Sequence, residues 1–238
     1  MCHFDFGLQQ VRKVGTPCLL WLDGCSKPTK EAGLPVGVCL STMECMVLRV
    51  THFGEPILHR DGDPVTEFDA SLRTLAEDMV ETMYAMEGVG IAAQQVDLPL
   101  RFFVIDMQLP PDEPAFLSRL DGRPIPHALL FPLHCANPEV EPVAPETDTM
   151  EEGCLSFPGI RAEITRPLTV RLRYQDLTGA RHELLADGWL ARAIQHEYDH
   201  TRGILFTERM DPRTRRDLET KLKRLKRETR DRLRGAEK

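Results

Sequence analysis

The stretch of this 238-residue chain that is best equipped for chemistry is AIQHEYDHTRGILF, at residues 193–206. It contains two histidines, His196 and His200, with Glu197 directly after the first. On a helix this spacing puts both imidazoles on one face, one turn apart, where their ring nitrogens can bind the same divalent metal ion. Glu197 points about 100° away around the helix, which suits a general base better than a metal ligand. The pattern therefore predicts a metal site that still needs a third ligand.

The identity of the third ligand separates a protease from another kind of enzyme. One protease family continues the motif with a Gly and then a third His, but here Gly203 is followed by Phe206 where that His would lie. Another protease family takes a Glu from further along the chain, and Glu208 and Glu219 are the candidates. Both lie among basic residues close to the C-terminus, so they are weak candidates. A zinc endopeptidase remains an alternative interpretation of the histidine pair.

An upstream cysteine is a better candidate for the third ligand. Cys154 lies in the stretch EEGCLSFPG, where Gly153 permits unusual backbone conformations and Pro158 favours a rigid turn. One thiolate and two imidazoles would leave the fourth position of a tetrahedral ion open to water, as in catalytic sites. A buried cysteine without a catalytic role is the alternative.

Three stretches together resemble the three motifs of the peptide deformylase family, in that family's order. They are GVGIAAQQ at 88–95, EGCLS at 152–156 and QHEYDH at 195–200. The resemblance covers the chain from about Met46 to its C-terminus. It implies a metal-dependent hydrolase that removes the N-formyl group from the initiator methionine of nascent polypeptides and releases formate. A ribosome-associated binding protein with a relic site is a further alternative, but the residues that carry the chemistry are intact.

The resemblance also implies a role for individual residues. Cys154, His196 and His200 would bind one divalent metal ion, and Glu197 would act as general base and then as general acid. The ion implied is Fe²⁺, while Zn²⁺, Ni²⁺ and Co²⁺ also suit this ligand set. Two groups would donate hydrogen bonds to the oxyanion of the transition state: the side-chain amide of Gln95 and the backbone N–H of Leu155. The residues implied to bind the peptide are Gly88, Val89, Gly90, Gly153 and Arg161.

The periodicity of the chain predicts an α+β fold, in which short mixed or antiparallel strands surround a central metal-binding helix. Apolar residues recur at three- and four-residue steps over 69–86, which predicts a helix. Strands are predicted at 101–106 and 168–176, the latter pairing in a hairpin with 180–188. The motif helix is predicted over about 188–201, with Asp187 as its N-cap and Gly203 as its end. The proline-rich segment over 109–134 is predicted to be a long loop.

Three regions are expected along the chain. Residues 1–45 lack any period and are predicted to be either a disordered extension or the product of an upstream start, with Met46 as the natural first residue. Residues 46–210 would form the catalytic domain, and 211–238 a C-terminal basic helix. No apolar run reaches the ~20 residues that a membrane span requires. A monomeric cytoplasmic protein is expected.

The C-terminal region differs in charge from the remainder of the chain. Residues 213–238 contain twelve Lys or Arg and five Asp or Glu, a net charge of +7, whereas the whole chain carries −7. A solvated helix with internal ion pairs is one interpretation. The other is binding to ribosomal RNA phosphates, which would bring the enzyme to emerging chains. The resemblance favours the ribosome as a partner, beside N-formylmethionyl peptides as substrates.

Overall fold

The computed structural model describes residues 45–108 and 116–236. The predicted extension over 1–45 therefore lies outside the described residues, except for Cys45. Part of the predicted proline-rich loop, residues 109–115, also lies outside them.

The described part of the chain contains both long and short helices. The α-helices are α1 (Ala70–Ala85), α2 (His127–Leu130), α3 (Gly188–Thr201) and α4 (Pro212–Ala236). Short 3₁₀ helices cover Pro56–His59, Ala93–Val96 and Phe206–Glu208. No helix in 45–108 or 116–236 is long and apolar enough to cross a membrane.

The strands form one large sheet and one separate hairpin. Their bounds are β1 (Gly90–Ala92), β2 (Phe102–Ile105), β3 (Ser118–Leu120), β4 (Arg123–Pro124), β5 (Leu133–Pro142), β6 (Thr147–Gly153), β7 (Arg161–Pro167), β8 (Thr169–Gln175) and β9 (Arg181–Asp187). The seven-stranded sheet has the order β1-β2-β5-β8-β9-β3-β4, and β6 pairs only with β7 among the described strands. Every ladder is antiparallel. The α+β prediction is confirmed.

The helix predicted over 69–86 is confirmed as α1, and its start has a clear physical cause. The carboxylate of Asp69, the N-cap residue, accepts hydrogen bonds from the backbone N–H groups of Ser71 and Leu72. These bonds satisfy donors that have no partner within the helix. The apolar side of α1, including Met79 and Met83, is fully buried against the large sheet.

The predicted hairpin and the motif helix follow one another as expected, with one difference in capping. Strands β8 and β9 pair over their whole length, and α3 begins directly after β9. The Asp187 side chain does not cap α3, since its carboxylate accepts a hydrogen bond from the Leu117 N–H at 2.6 Å. Gly203 follows the helix with φ +68°, and a Cβ there would lie 2.6 Å from the backbone of His59. Glycine is thus required both by the left-handed backbone and by the close approach.

The prediction of one long loop over 109–134 was wrong for its described part. That part contains β3, β4, α2 and the first residues of β5. Strand β3 pairs with β9, with Ser118 opposite Ala186 and Leu120 opposite Leu184. A two- or three-residue strand shows no recognisable period. The pairing of β3 with β9 spans more than sixty residues along the chain, while β4 pairs locally with β3.

Helix α3 lies at the centre of the fold. Its apolar residues Leu190, Ala191 and Ile194 are fully buried against one face of the large sheet. A separate apolar cluster joins the β6–β7 hairpin to α4, with Ile164 on β7 and Leu222 on α4 among its members. The motif helix is therefore covered by the sheet and approached by the hairpin.

Candidate metal centre

The structure brings Cys154 together with His196 and His200. Cys154 directly follows β6, and both histidines lie on α3. One ligand atom from each of the three residues lies within 4.8 Å of the others, and Cys154 Sγ is 3.2 Å from His200 Nε2. Within 45–108 and 116–236, this is the only group of His, Cys, Asp or Glu side chains with such an arrangement. Three converging donors of this kind are suited to one transition-metal ion.

Neither of the two protease-type candidates for the third ligand joins this group. The Glu208 carboxylate accepts a hydrogen bond from the Leu205 N–H, and Glu219 forms an ion pair with Lys223 on the exposed side of α4. The cysteine is thus the side chain that accompanies the two histidines. This geometry disfavours the zinc endopeptidase interpretation.

Glu152 orients the first histidine. Its Oε2 lies 3.0 Å from His196 Nδ1, so the His196 Nε2 is free to face Cys154 and His200. Burial raises the pKa of Glu152, but hydrogen bonds with His196 and Arg166 outweigh this effect and lower the pKa to about 2. Without a bound cation, burial lowers the pKa of His196, while hydrogen bonds with Cys154 and Glu152 raise it to about 10. Glu152 is therefore an anionic partner that fixes the orientation of the imidazole.

The second histidine has a different environment. His200 is 1% exposed, and its Nδ1 has no hydrogen-bond partner among the described residues. Burial, with the nearby charges of His196 and Arg166, lowers the pKa of His200 well below its usual value. A neutral imidazole is the form that can bind a metal ion.

Glu197 lies beside the histidines but contributes no atom to the group of three. Its Oε2 is buried without a hydrogen-bond partner in the described protein. Burial raises the pKa of Glu197 to about 7, although the charges of His196 and Arg166 lower it. A carboxylate with a pKa near neutrality can both accept and return a proton. Gly90 provides the space, since a Cβ there would lie 2.5 Å from Glu197 Oε1.

Gln95 lies beside the cysteine, and Leu155 follows the cysteine directly in the chain. The Gln95 side chain is held by its Oε1, which accepts a hydrogen bond from the Ala92 N–H at 2.9 Å. Its Nε2 lies 3.4 Å from Cys154 Sγ and 3.3 Å from Ser156 Oγ. The acceptor end of the amide is thus bound to the backbone, while its donor end faces the cysteine.

The residues expected to bind a peptide lie on strand edges. Gly88 and Val89 precede β1, which is the edge strand of the large sheet and contains Gly90. Val89 is 47% exposed. Gly153 lies at the end of β6, opposite Arg161 on β7, rather than in a turn of special conformation as the sequence suggested. Arg161 is exposed and approaches Glu151 at 3.7 Å.

Two buried arginines near the histidines were not singled out from the sequence. Arg166 donates hydrogen bonds to both oxygens of Glu152 and to Asp199, and Arg192 donates to Glu152. Arg209, which is exposed, also binds Asp199. In the sequence, the position of Arg192 one helical turn before His196 was the single indication that it lies near the histidines. No local pattern in the sequence indicates the same for Arg166 on β7.

Comparisons with known proteins agree on one family. Residues 47–216 match the family model described as polypeptide deformylase. A peptide deformylase of Opitutus terrae is 44% identical over 78% of this chain and 96% of its own. One of Thermotoga maritima is 40% identical over 73% of this chain and 93% of its own.

Solved structures give the same result. The crystal structure of peptide deformylase from Thermotoga maritima superposes with a TM-score of 0.59 at 38% identity, covering 70% of this chain and 99% of that one. The structure of Arabidopsis thaliana peptide deformylase 1B in complex with an inhibitor superposes with a TM-score of 0.66 at 30% identity. The match covers 78% of this chain and 93% of that one. The chain belongs to the peptide deformylase family, whose members are metal-dependent hydrolases that remove the N-formyl group from nascent polypeptides.

Proposed function

We propose that Cys154, His196 and His200 hold the metal ion and that Glu197 transfers the proton in this deformylase. The observation that supports the proposal is the convergence of one thiol and two imidazoles, with a buried, unpaired carboxylate oxygen beside them. A divalent ion bound by these residues supplies Lewis acidity and lowers the pKa of a water molecule towards about 7. The remaining steps belong to the residues of the chain.

Glu197 accepts a proton from the attacking water at its carboxylate and later delivers it to the departing amine of methionine. Its pKa of about 7 keeps both directions of transfer accessible near neutral pH. Attack at the formyl carbon places negative charge on the formyl oxygen. Collapse of the tetrahedral species breaks the C–N bond and gives formate and a free N-terminus.

The negative charge on the formyl oxygen is stabilised by the Gln95 amide and the Leu155 N–H. The Gln95 Nε2 faces the Cys154 sulfur, and its Oε1 is held by a backbone N–H, so the donor is already oriented. Loss of one such donor typically costs ~3–4 kcal/mol of transition-state stabilisation. Gln95→Ala is therefore expected to lower kcat more than it raises KM.

The peptide lies extended between β1 and β6. Gly88 is partly exposed and Gly153 is exposed, which suits main-chain hydrogen bonding to a substrate strand, while Gly90 is buried and makes room for Glu197 beside that path. Val89 is exposed at this edge and lines the pocket for the methionine side chain. Arg161 is exposed nearby and contacts the peptide further along.

The most direct test of the roles uses Glu197→Ala. This variant is expected to retain its metal, because Glu197 supplies no ligand atom, and to lose formate release from formyl-Met-Ala-Ser. Cys154→Ala is the matched control, since it should lose the metal together with activity. Full turnover by Glu197→Ala would contradict the proposed proton transfer.

The metal in the cell is proposed to be Fe²⁺. Cys and His side chains bind Fe²⁺, Zn²⁺, Ni²⁺ and Co²⁺ alike, so the ligand set alone does not select among them. Purification under anaerobic conditions, with metal analysis and a formate-release assay on the same sample, identifies the active ion. Activity that follows zinc content rather than iron content would contradict the assignment.

The C-terminal helix is proposed to bind ribosomal RNA, which places a monomeric enzyme at emerging chains in the cytoplasm. The helix begins close to the proposed boundary at residue 211, and it packs on the proposed catalytic domain (46–210) through Leu222 and Leu225. Most of its Lys and Arg side chains are exposed. Exposed cations arranged along a helix are suited to phosphate contacts, whose strength falls steeply with salt.

Deleting the helix would also remove buried leucines, so substitutions of exposed bases give a cleaner test. The variant replaces four exposed α4 bases with Gln: Lys221, Arg227, Arg230 and Arg234. The matched control replaces four exposed bases elsewhere: Arg73, Arg119, Arg123 and Arg181. Co-sedimentation with ribosomes should fall for the first variant only, with the largest difference at low salt. Equal sedimentation of both would contradict the proposal.

A further inference from the structure

We infer that Arg192 is a positioning residue for the metal centre, because it fixes the hairpin that presents Cys154 against the helix that carries His196 and His200. The inference rests on the metal ligands proposed above. Arg192 reaches none of the three ligand atoms and acts through Glu152 and the backbone of the hairpin.

Arg192 lies on α3 one turn before His196, so both side chains project from the same face of the helix. Its Nη1 donates hydrogen bonds to Glu152 Oε1 at 2.7 Å and to the Ile164 carbonyl at 2.9 Å. Its Nη2 donates to the Asp148 carbonyl at 2.9 Å. The guanidinium therefore binds both strands of the β6–β7 hairpin at once. The side chain is 5% exposed, so water offers little competition for these bonds.

The fold makes such a connection necessary. In the described part of the chain, β6 and β7 pair only with each other, so no backbone ladder ties the hairpin to the large sheet. Cys154 follows the last residue of β6 directly, whereas the two histidines lie on α3. Two other contacts also join α3 to the hairpin: Arg166 on β7 donates to Asp199, and Gln195 on α3 donates to the Pro167 carbonyl. Arg192 adds three directional hydrogen bonds, two of them to β6, the strand that leads to Cys154. The distance between the thiol and the imidazoles therefore depends in part on Arg192.

Arg192 also helps to determine which oxygen of Glu152 faces His196. Oε1 accepts from Arg192 Nη1 and Arg166 Nε, and Oε2 accepts from Arg166 Nη2 and lies against His196 Nδ1. With Oε1 fully occupied, Oε2 is the oxygen that orients the imidazole. Without Arg192 the carboxylate is held by Arg166 alone, so the orientation that it imposes on His196 is less firmly fixed.

Two substitutions separate geometry from charge. Arg192→Lys keeps the positive charge. The single side-chain nitrogen of lysine cannot replace a guanidinium group that donates to Glu152, Ile164 and Asp148 together. Arg192→Met keeps most of the length and removes both charge and fork. Arg202→Met is the matched control. It removes an arginine from the end of the same helix, and the ion-pair partner of Arg202 is Asp61, which lies outside the metal centre.

The measurement is the affinity of the full chain for Co²⁺, by competition with a chelator, together with the cobalt–thiolate absorption band. Loss of a residue that supports a metal ligand typically weakens binding 10- to 100-fold. We expect a loss in this range for Arg192→Lys and Arg192→Met, with a weakened thiolate band, and wild-type values for Arg202→Met. The metal-free melting temperature of each variant is measured alongside.

The outcomes distinguish this inference from the proposed ligands. Absence of a thiolate band in the wild-type protein would overturn the ligand assignment itself. A normal wild-type band, with unchanged affinity and band in Arg192→Lys, would overturn only the role of Arg192. The role of Arg192 would also be overturned by a weaker metal affinity that accompanies a lower metal-free melting temperature and an unchanged thiolate band. Arg192 would then stabilise the fold without positioning the metal centre. Should Arg192→Met fail to fold, Arg192→Lys alone decides.

Discussion

Gly90 shows how closely the residues of this centre are fitted to one another. A Cβ at position 90 would lie 2.5 Å from Glu197 Oε1 and 2.9 Å from its Cγ and Cδ. These distances are too short for any side chain, and Glu197 is buried, so its carboxylate would have to move. Gly90→Ala is therefore expected to misplace the proposed base while leaving the strand β1 able to form.

A misplacement of about 1 Å in a reacting group can cost about 10²-fold in rate. We expect a loss of this size in kcat/KM for Gly90→Ala, measured by formate release from a formylated tripeptide. Gly235→Ala is the control, since a Cβ there meets nothing within 4 Å and lies on α4, remote from β1 in sequence. A wild-type rate for Gly90→Ala would show that the position of Glu197 does not limit turnover.

At the residue scale, the sequence predicts the side chains that local spacing or a motif defines. His196 and His200 are such a pair, because a helix converts their spacing directly into proximity. Arg166 and Arg192 were missed, because each meets Glu152 only after a strand and a helix have come together. Glu152 is part of the EGCLS stretch, but its burial against these two arginines could not be predicted from that stretch alone.

At the element scale, long periodic segments were predicted well and short strands were not. Helices α1 and α3 and the β8–β9 hairpin match their predicted positions, since each shows a clear period or a turn between matched strands. Strands β3 and β4 were predicted as loop, because β3 pairs with β9 only over a long range and the two-residue β4 shows no period of its own, although it pairs locally with β3. Asp187 occupies the predicted N-cap position of α3, but its carboxylate binds the Leu117 N–H before β3 rather than the first turn of the helix.

Strand β9 contains a histidine, His182, whose charge depends on contacts with two neighbouring turns. His182 Nδ1 lies 2.9 Å from Asp121, in the β3–β4 turn, and Nε2 lies 3.4 Å from Asp176, in the β8–β9 turn. The hydrogen bond with Asp121 raises the pKa of His182 above 6.5, more than burial lowers it. Both aspartates have lowered pKa values and stay anionic above pH 5. The neighbouring Tyr174 stays neutral, because burial raises its pKa.

A raised pKa in the folded state stabilises the fold at low pH. The stabilisation by His182 is fully present below pH 6.5 and is lost as pH rises through the raised value. We expect wild type to exceed His182→Gln in free energy of unfolding by roughly 0.2–1 kcal/mol at pH 5.5, and by less at pH 9. Urea titrations of both proteins measure this difference. The contributions of other titrating groups such as His134 cancel, because both proteins contain them. A difference that grows towards pH 9 would contradict the expected sign.

At the scale of the whole molecule, the metal centre lies where separate parts of the fold meet. Helix α3 packs on the large sheet, the hairpin contributes Cys154, and α4 covers the hairpin through the apolar cluster that includes Phe157 and Leu225. A metal ion bound by α3 and the hairpin therefore links elements that no strand ladder joins in the described chain.

Removal of the metal should consequently lower the stability of the whole described fold. A ligand that binds only the folded state, at a free concentration 1,000 times its Kd, stabilises that state by about 4 kcal/mol. For a protein of this size, such a change corresponds to roughly 8–16 °C in melting temperature. We expect a decrease of this order when the metal-loaded protein is treated with a strong chelator, followed by circular dichroism during heating. Cys154→Ser should show a much smaller chelator effect, because one ligand is already lost. Equal decreases in both proteins would mean that the ion stabilises the fold without the thiol. The connection between the hairpin and α3 would then depend on side chains such as Arg192 alone.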